Sequence, residues 1–317
     1  MTIQQPPTYL LSEIPVFFST NDAYIPFLDI AVSSLIRNAS KAYRYRLIVL
    51  NTGLAPESIE KILRRQCEGF TIEFVDISRE VDGIQSRFRN VYHFSVATYY
   101  RLFIASLFPQ YKKILYLDCD IVVLGDVSEL YHTDLDGCII GAAPEQFVRY
   151  TPEFRTYAER AVGVSPDGYV NAGVLVIDLD EFRRHRIEEQ FIDLITRYDF
   201  DLLDPDQAYL NYLCDGYIHV LPNGWNKEPT QRTLEGKLNL VHYALYKKPW
   251  QYDDVMYGEY FWEYAKGSPF YEDILRLKES FGDAERAEKE AMASEILRHG
   301  LEIADSDVTF STQLRKD

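Results

Sequence analysis

The sequence predicts an α/β fold in which a mixed, mainly parallel central sheet is flanked by helices. Along the first half of the chain, short apolar runs rich in β-branched and aromatic residues alternate with segments whose apolar residues recur every three or four positions. The first pattern is typical of buried strands and the second of crossover helices. With 317 residues, 47% of them hydrophobic, the chain can also bury one large core.

The individual elements follow from these two patterns. Buried strands are predicted at residues 15–19, 45–50, 71–75, 113–117, 138–142 and 172–177. Helical spacing of apolar residues predicts helices at residues 25–37, 56–66, 96–108, 180–198 and 205–214. We therefore expect strands and helices to alternate up to about residue 180 and helices to dominate after it.

Domain organisation is predicted to be simple, with one principal domain at residues 1–270 and a helical C-terminal tail at residues 271–317. The tail carries 12 acidic and 7 basic side chains, a net charge of −5. Its apolar positions recur at helical spacing: Ile274, Leu275, Leu277, Phe281, Ile296, Leu297 and Leu301. We expect an amphipathic tail that packs on the protein's own body or on a second subunit, which leaves a homodimer open.

Charge and cysteine content exclude several classes of function. A formal net charge of −16 and a pI near 4.9 exclude a nucleic-acid-binding protein, because phosphate contacts need a basic surface. The acidic tail likewise predicts no strong binding to anionic membranes. The four cysteines form no C-x-x-C pair, so neither a zinc ribbon nor a disulfide framework is indicated. Residues 1–13 show no targeting signal, and we expect a cytoplasmic protein.

The strongest local motif is a pair of carboxylates at the end of an apolar strand, Asp118 and Asp120 after residues 113–117. In an extended chain, positions i and i+2 point to the same side, so both carboxylates can face one hard cation where α/β sheets place their ligands. The D-x-D spacing recurs at Asp134, Asp178, Asp199, Asp204 and Asp305, but only the first follows a five-residue apolar strand. Metal binding is predicted there, with a plain strand-end turn as the alternative.

His242 is a candidate third ligand. Its apolar flanks predict a short buried strand that leads into a loop, where a lone histidine is more often a core residue. Together with two carboxylates it would form a mixed oxygen and nitrogen site, which suits Mn²⁺ better than Mg²⁺ because imidazole favours transition metals. Lys248, six residues further on, could neutralise a diphosphate.

Residues 204–207, with the sequence DPDQ, open a predicted helix. Asp204 as N-cap, a proline at the first helical position and Gln207 at the third form a capping box without any functional role. Asp206 is not needed for that cap. Its carboxylate would favour the helix dipole or hydrogen-bond a sugar hydroxyl.

Haloacid-dehalogenase-like phosphatases also begin with an apolar strand and D-x-D, in which the first aspartate is a nucleophile. That class expects small residues and a threonine after the motif, near the start of its domain. In this sequence Ile121 and Val122 follow, and several predicted strands precede the motif. The phosphatase is therefore the weaker interpretation.

Taken in order, the motifs resemble those of the family 8 retaining glycosyltransferases, which include bacterial lipopolysaccharide galactosyl- and glucosyltransferases and glycogenin. The resemblance covers roughly residues 14–270. It is carried by VFFSTNDAY at 16–24, ATYYRL at 97–102, YLDCD at 116–120, NAGV at 171–174, DPDQ at 204–207, HY at 242–243 and KPW at 248–250.

The resemblance implies a nucleotide-diphospho-sugar transferase (GT-A) fold and transfer of a hexose from UDP-galactose or UDP-glucose. Mn²⁺, or Mg²⁺, would be bound by Asp118, Asp120 and His242. The nucleotide would be bound by Ser19, Asn21, Asp22, Tyr24, Lys248 and Trp250. The donor sugar and the chemistry would involve Arg101, Asn171, Asp206 and Gln207. The acceptor would be a saccharide, a lipopolysaccharide-like molecule or a protein glycan.

The sequence departs from the family at two places. The uridine-binding turn of the family usually carries Asp where Asn21 stands and often Asn where Ala23 stands. Relatives also tend to have Gly three residues after the metal-binding histidine, where this chain has Leu245.

The resemblance implies that the configuration of the sugar carbon is retained and places Gln207 nearest to that carbon. Because an amide is a poor nucleophile, we expect front-face attack by the acceptor and not double displacement. A non-catalytic protein that binds sugar nucleotides is the remaining alternative.

Overall fold

A computed structural model describes residues 12–88, 96–230, 232–245 and 247–314. The predicted absence of a targeting signal rests mainly on residues 1–11, which lie outside this part. The described strands are β1 (Glu13–Ser19), β2 (Arg44–Asn51), β3 (Phe70–Asp76), β4 (Lys113–Leu117), β5 (Ile121–Val123), β6 (Ile140–Pro144), β7 (Val170–Asp178), β8 (Ile218–Val220) and β9 (Leu240–His242).

Seven of these strands form the central sheet, in the order β3-β2-β1-β4-β7-β6-β8. Strands β3, β2, β1 and β4 are parallel to one another, β7 is antiparallel to both of its neighbours, and β8 pairs parallel with β6. The prediction of a mixed, mainly parallel sheet is confirmed. Strands β5 and β9 form a separate antiparallel pair.

The apolar strand sequences are explained by burial on both faces of the sheet. Along β1, Val16 and Phe18 belong to one core layer, whereas Phe17 between them packs into the other layer with Tyr116. Because neighbouring side chains of a strand point to opposite faces, a strand covered on both sides has no polar alternation. All predicted strands are present, with boundaries shifted by a few residues.

The helices cover both faces of this sheet. They are α1 (Ile25–Asn38), α2 (Pro56–Leu63), α3 (Ser78–Val81), α4 (Ile104–Leu107), α5 (Val127–Tyr131), α6 (Gln146–Tyr150), α7 (Pro152–Tyr157), α8 (Leu179–Arg184), α9 (Ile187–Arg197), α10 (Pro205–Leu213), α11 (Gly258–Ala265), α12 (Tyr271–Ser280), α13 (Asp283–Ala304) and α14 (Phe310–Gln313). Single turns or short runs of other helix types occur at Gln85–Arg87, Val96–Phe103, Ala158–Val162 and Asn223–Trp225.

Two predicted helices differ from the structure. The prediction of one helix at residues 180–198 is wrong, because Arg186 takes a left-handed conformation (φ 55°) between α8 and α9. Phe182 and Ile187 are both buried. In a continuous helix these residues, five positions apart, would point to different faces, so the break at Arg186 lets both side chains enter the core. The predicted helix at 96–108 is a 3₁₀ helix over Val96–Phe103 that continues as α4, which agrees with the low α-helix propensity of its β-branched and aromatic residues.

The tail is helical, as predicted, and packs on the body of the protein. In α13 the buried residues are Ile296, Gly300, Ile303 and Ala304, which face α7 and the adjoining core. The predicted apolar stripe is wrong at Leu277 and Leu301, which are 43% and 40% exposed. The orientation of α13 places Gly300 against the body and leaves Leu301 on the exposed side of the helix.

Candidate active site

The predicted metal ligands come from two places in the fold, the end of strand β4 and the small β5–β9 pair. Asp118 and Asp120 follow the C-terminal end of β4, the middle strand of the central sheet. His242 is the last residue of β9, and its register partner in β5 is Ile121, directly after the D-x-D pair. The pairing of two three-residue strands thus places a histidine from late in the sequence beside the carboxylates.

Asp118, Asp120 and His242 form a cluster whose ligand atoms all lie within 4.8 Å of one another. His242 Nε2 is 3.2 Å from Asp120 Oδ1 and 3.8 Å from Asp118 Oδ2. Gly173 lies directly behind this cluster, where a Cβ would stand 2.6 Å from Asp118 Oδ2. Two carboxylates and an imidazole in this arrangement can hold a divalent cation.

The orientation of the imidazole is fixed by a chain of hydrogen bonds that starts at Glu145. Asn171 donates to Glu145 through Nδ2 at 2.6 Å and presents Oδ1 to Asn226. Asn226 Nδ2 donates to that oxygen at 2.8 Å, and its own Oδ1 faces His242 Nδ1 at 2.9 Å. Nδ1 therefore carries the proton, and the Nε2 lone pair points at the two carboxylates. The two carboxylates and the imidazole nitrogen thus converge on one point, where a cation could bind.

Arg101 is the central cation of the neighbouring wall and is only 3% exposed. Its guanidinium donates to Asp118 Oδ1 at 2.9 Å, to Thr98 O at 2.8 Å and to Ala172 O, and it lies 3.2 Å from Asp206 Oδ2. Burial alone would lower the pKa of Arg101, but the two carboxylates raise it above its ordinary value. The arginine holds both acids in place.

Lys248 is paired with the metal cluster. Its ammonium donates to Asp120 Oδ2 at 2.6 Å and to the carbonyl oxygen of Tyr243. Burial would raise the pKa of Asp120, but its neighbours, Lys248 above all, hold it well below its usual range. Asp120 is therefore an anion, and the lysine lies within reach of any anion bound at the cluster.

Glu145 and Glu228 form a second, buried pair of carboxyl groups behind the site. The Nδ2 group of Asn171 donates to both, at 2.6 Å and 3.3 Å. Burial and the neighbouring Glu145 raise the pKa of Glu228 well above its ordinary value. Lys227, also buried, donates to Gln146 and to the carbonyl oxygen of Glu228.

Asp204 and Gln207 do not form the predicted capping box. The Asp204 side chain makes no cap hydrogen bond; it accepts from Tyr157 OH at 3.0 Å, Tyr169 OH at 2.7 Å and Gln207 Nε2 at 2.7 Å. Gln207 Oε1 accepts from the backbone N–H of Ala172 at 2.9 Å. Side-chain partners have thus replaced the backbone cap at Asp204, and the Gln207 amide is held at its nitrogen by Asp204 and at its oxygen by Ala172.

The predicted nucleotide-binding residues fall into two groups. Ser19, Asn21, Tyr24 and Lys248 line the same cleft as the metal cluster, and the buried Oγ of Ser19 has no hydrogen-bond partner in the described part of the chain. Asp22 and Trp250 do not line the cleft. Asp22 accepts from the backbone N–H of Ala55 at 3.0 Å, and Trp250 stacks on Phe27 in the core.

Leu245 adopts a left-handed conformation, with φ 59°. This region is strained for a branched side chain and is free of strain for glycine. The loop after His242 therefore has the backbone that a glycine would favour, although the sequence places leucine there.

The cleft has a volume of about 1190 Å³ including its open mouth. Its polar part is lined by the metal cluster, Arg101, Asn171, Asp206 and Gln207. Its other part is lined by apolar side chains, one of them Ile296 from the tail. The polar neighbours Glu145, Asn226 and Glu228 and the glycine at 173 were not identified as functional from the sequence, because each acts through contacts with distant elements.

Comparison with known proteins gives concordant matches. The profile of Glycosyl transferase family 8 matches residues 15–254. Glycosyltransferase GlyF of Streptococcus pneumoniae is 27% identical over 263 residues, which cover 78% of this chain and 60% of GlyF. The lipopolysaccharide 1,2-glucosyltransferase of Escherichia coli is 28% identical over 175 residues, which cover 49% of each protein.

Two solved structures are similar over most of the chain. The galactosyltransferase LgtC, in complex with donor and acceptor sugar analogues, has a TM-score of 0.69 and 26% identity, and the match covers 81% of this chain and 96% of LgtC. The bifunctional glycosyltransferase WbbM has a TM-score of 0.73 and 22% identity, with 87% of this chain and 53% of WbbM covered. Among the described residues, no helix combines the length and apolar character needed to cross a membrane.

Proposed function

Because the chain belongs to glycosyltransferase family 8, we propose that it transfers galactose or glucose from a UDP-sugar to a saccharide or glycan acceptor, with retention of configuration. It has the GT-A fold expected of this family. Family membership replaces the phosphatase interpretation of the D-x-D motif. The observation that carries the proposal is the convergence of Asp118, Asp120 and His242 with Arg101 and Gln207 in one cleft.

The nucleotide half of the cleft supplies positive charge to the leaving group. Mn²⁺ held by Asp118, Asp120 and His242 would supply Lewis-acid stabilisation of the diphosphate. Lys248, already directed at Asp120, would add a second positive charge to the same group. Ser19, which lines this part of the cleft, would donate its hydroxyl to the nucleotide.

The sugar half of the cleft positions the reacting carbon. We assign Asp206 and Asn171 to hydroxyl groups of the donor sugar, with Asp206 oriented by Arg101. Gln207 lines this region with its amide held at both ends: its oxygen accepts from Ala172 and its nitrogen donates to Asp204. The amide oxygen is thus directed away from a nucleophilic role.

Front-face attack is consistent with this arrangement. The bond between C1 of the sugar and the β-phosphate oxygen breaks, the acceptor oxygen bonds to C1 on the same face, and the acceptor proton passes to the departing phosphate. Arg101 is paired with Asp118 and Asp206, and Lys248 is paired with Asp120, so these two cations offset negative charge in the site.

A screen of UDP-hexoses for slow hydrolysis in the presence of Mn²⁺ tests the proposal. We expect UDP-galactose or UDP-glucose to be cleaved and the rate to fall to background in EDTA. Asp120→Asn should weaken Mn²⁺-dependent UDP binding at least about tenfold, whereas Asp134→Asn, at an exposed D-x-D, should not. Undiminished UDP affinity in EDTA would refute the metal site, and failure to bind any UDP-sugar would refute the proposed function.

A further inference from the structure

The cleft continues past the proposed sugar site into an apolar wall. This wall consists of Phe147, Val148, Phe154, Leu203 and Ile296. Ile296 belongs to α13, which lies beyond the residues matched by the family profile. The tail therefore contributes directly to the cleft.

The position of α13 is fixed by close packing. At Gly300, one turn after Ile296, a Cβ would lie 2.9 Å from Leu203 Cδ1, so the absence of a side chain allows the close approach. His299 Nε2 lies 2.7 Å from Asp201 Oδ2 on the adjacent loop. A helix held on two sides in this way forms a defined surface for a ligand.

A continuous set of hydrogen bonds connects this wall with the proposed sugar site. The backbone N–H of Leu203 donates to Tyr157 OH at 3.1 Å, and that hydroxyl donates to Asp204 at 3.0 Å. Asp204 in turn accepts from Gln207 at 2.7 Å. The apolar wall thus begins next to the residues that we assign to the donor sugar.

We propose that the acceptor is a glycoside with an aliphatic substituent, and that the apolar wall binds this substituent. The inference rests on the proposed function. The acceptor is the molecule that must lie next to the donor sugar during transfer. The apolar side chains of the wall, three aliphatic and two aromatic, gain no stabilisation from contact with a diphosphate or a bare hydroxyl group. The substituent reaches the wall from solution as part of a single molecule, because the acidic tail that contributes Ile296 to the wall repels an anionic bilayer.

The experiment uses alkyl glycosides of increasing chain length. Binding of methyl, butyl, hexyl and octyl β-glucosides and β-galactosides, below their micellar concentrations, is measured calorimetrically on the full chain with UDP and Mn²⁺. Each buried methylene should tighten binding by up to about fourfold. We expect at least a tenfold gain from methyl to octyl in the preferred sugar series. Equal affinity along both series, or no binding, would overturn the inference.

Variants show whether the wall is responsible. Ile296→Asp should remove the dependence on chain length, and Ile296→Ala, a milder change, should reduce it. Leu301→Asp is the matched control, because Leu301 lies on the same helix and is 40% exposed. It should keep the full dependence. An equal response of Ile296→Ala and Leu301→Asp, with thermal melting showing both folded, would refute a role for the wall.

Two further outcomes separate the inference from the proposed function. If UDP-sugars are hydrolysed but chain length has no effect, only the aliphatic substituent is refuted. If no UDP-sugar is bound, the proposed function fails as well. Transfer to a glycolipid embedded in vesicles, without transfer to soluble alkyl glycosides, would also overturn the inference.

Discussion

Gly173 shows how one residue determines the geometry of the metal cluster. A Cβ there would lie 2.6 Å from Asp118 Oδ2 and closer still to the imidazole of His242. We predict that Gly173→Ala weakens Mn²⁺ binding at least about tenfold, because both ligands must move. Calorimetric titration with Mn²⁺ measures the change. Gly83→Ala is the control, since a Cβ at Gly83 meets nothing within 4 Å, and equal Mn²⁺ affinity in both variants would contradict the prediction.

Asp204 is predicted to make stability depend on pH. Burial raises the pKa of Asp204 to about 7, against hydrogen bonds from Tyr169, Gln207 and Tyr157, and Glu145 adds to the rise. An aspartate in the unfolded chain titrates near pH 4, so the folded chain holds the extra proton between about pH 4 and 7. The free energy of unfolding therefore falls as pH rises through this window, by at most about 1.4 kcal/mol per unit.

Asp204→Asn removes this titration. Urea unfolding between pH 4.5 and 8 should give a flatter dependence of stability on pH for the variant than for the wild type. Tyr157 and Tyr169 do not interfere, because burial raises the pKa of both phenols well above 10. Parallel curves for the two proteins would show that Asp204 is ionised across the whole range.

The metal ligands and the polar network behind them differ in how far they could be predicted from the sequence. Asp118 and Asp120 were identifiable because an extended chain places alternate residues on one side. Asn226 and Glu228 lie in an irregular segment, and their partners Glu145 and Asn171 lie more than fifty positions earlier. Contacts between residues so far apart leave no local pattern in the sequence. The polar network behind His242 could therefore be identified only from the structure.

At the scale of elements, burial on both faces explains why the long strands were predicted well. Strands β5 and β9 have three residues each, too few for a periodicity, yet their pairing assembles the metal cluster. The break at Arg186 was also missed. It is fixed by the need to bury Phe182 and Ile187 together, which depends on the core and not on local propensity.

The packing of α13 on the body leads to a prediction about its glycine. Gly300→Leu adds a side chain where Leu203 already lies within 2.9 Å of the Cβ position. Overpacking of this kind costs about 1–3 kcal/mol, and the gain of about 1 kcal/mol in helix propensity offsets only part of that cost. We expect lower stability in urea unfolding.

Leu301→Ala provides the comparison for Gly300→Leu, because it changes the exposed side of the same helix. Its free energy of unfolding should differ from that of the wild type by less than about 0.5 kcal/mol. A Gly300→Leu variant as stable as the wild type would mean that α13 does not rest on Leu203 at the observed distance.

At the scale of the whole molecule, charge and packing together decide how the protein meets a membrane. The chain has a formal net charge of −16, and the tail contributes −5 of it. The most buried positions of α13 face the body, so the apolar side of this helix is already covered. Anionic lipid surfaces reward basic residues by about 1 kcal/mol each, and the tail has more acidic than basic residues.

We therefore predict no binding to anionic vesicles at physiological salt. Co-sedimentation with phosphatidylglycerol vesicles at about 0.15 M salt should leave the protein in the supernatant. At this salt concentration charge repulsion still acts within about 8 Å, and the buried residues of α13 are already packed against the body. Lowering the salt should not increase binding, since the net force is repulsive. Protein in the pellet at either salt concentration would mean that the tail leaves the body at a membrane surface, and the packing of Ile296 and Gly300 would then describe only one of its states.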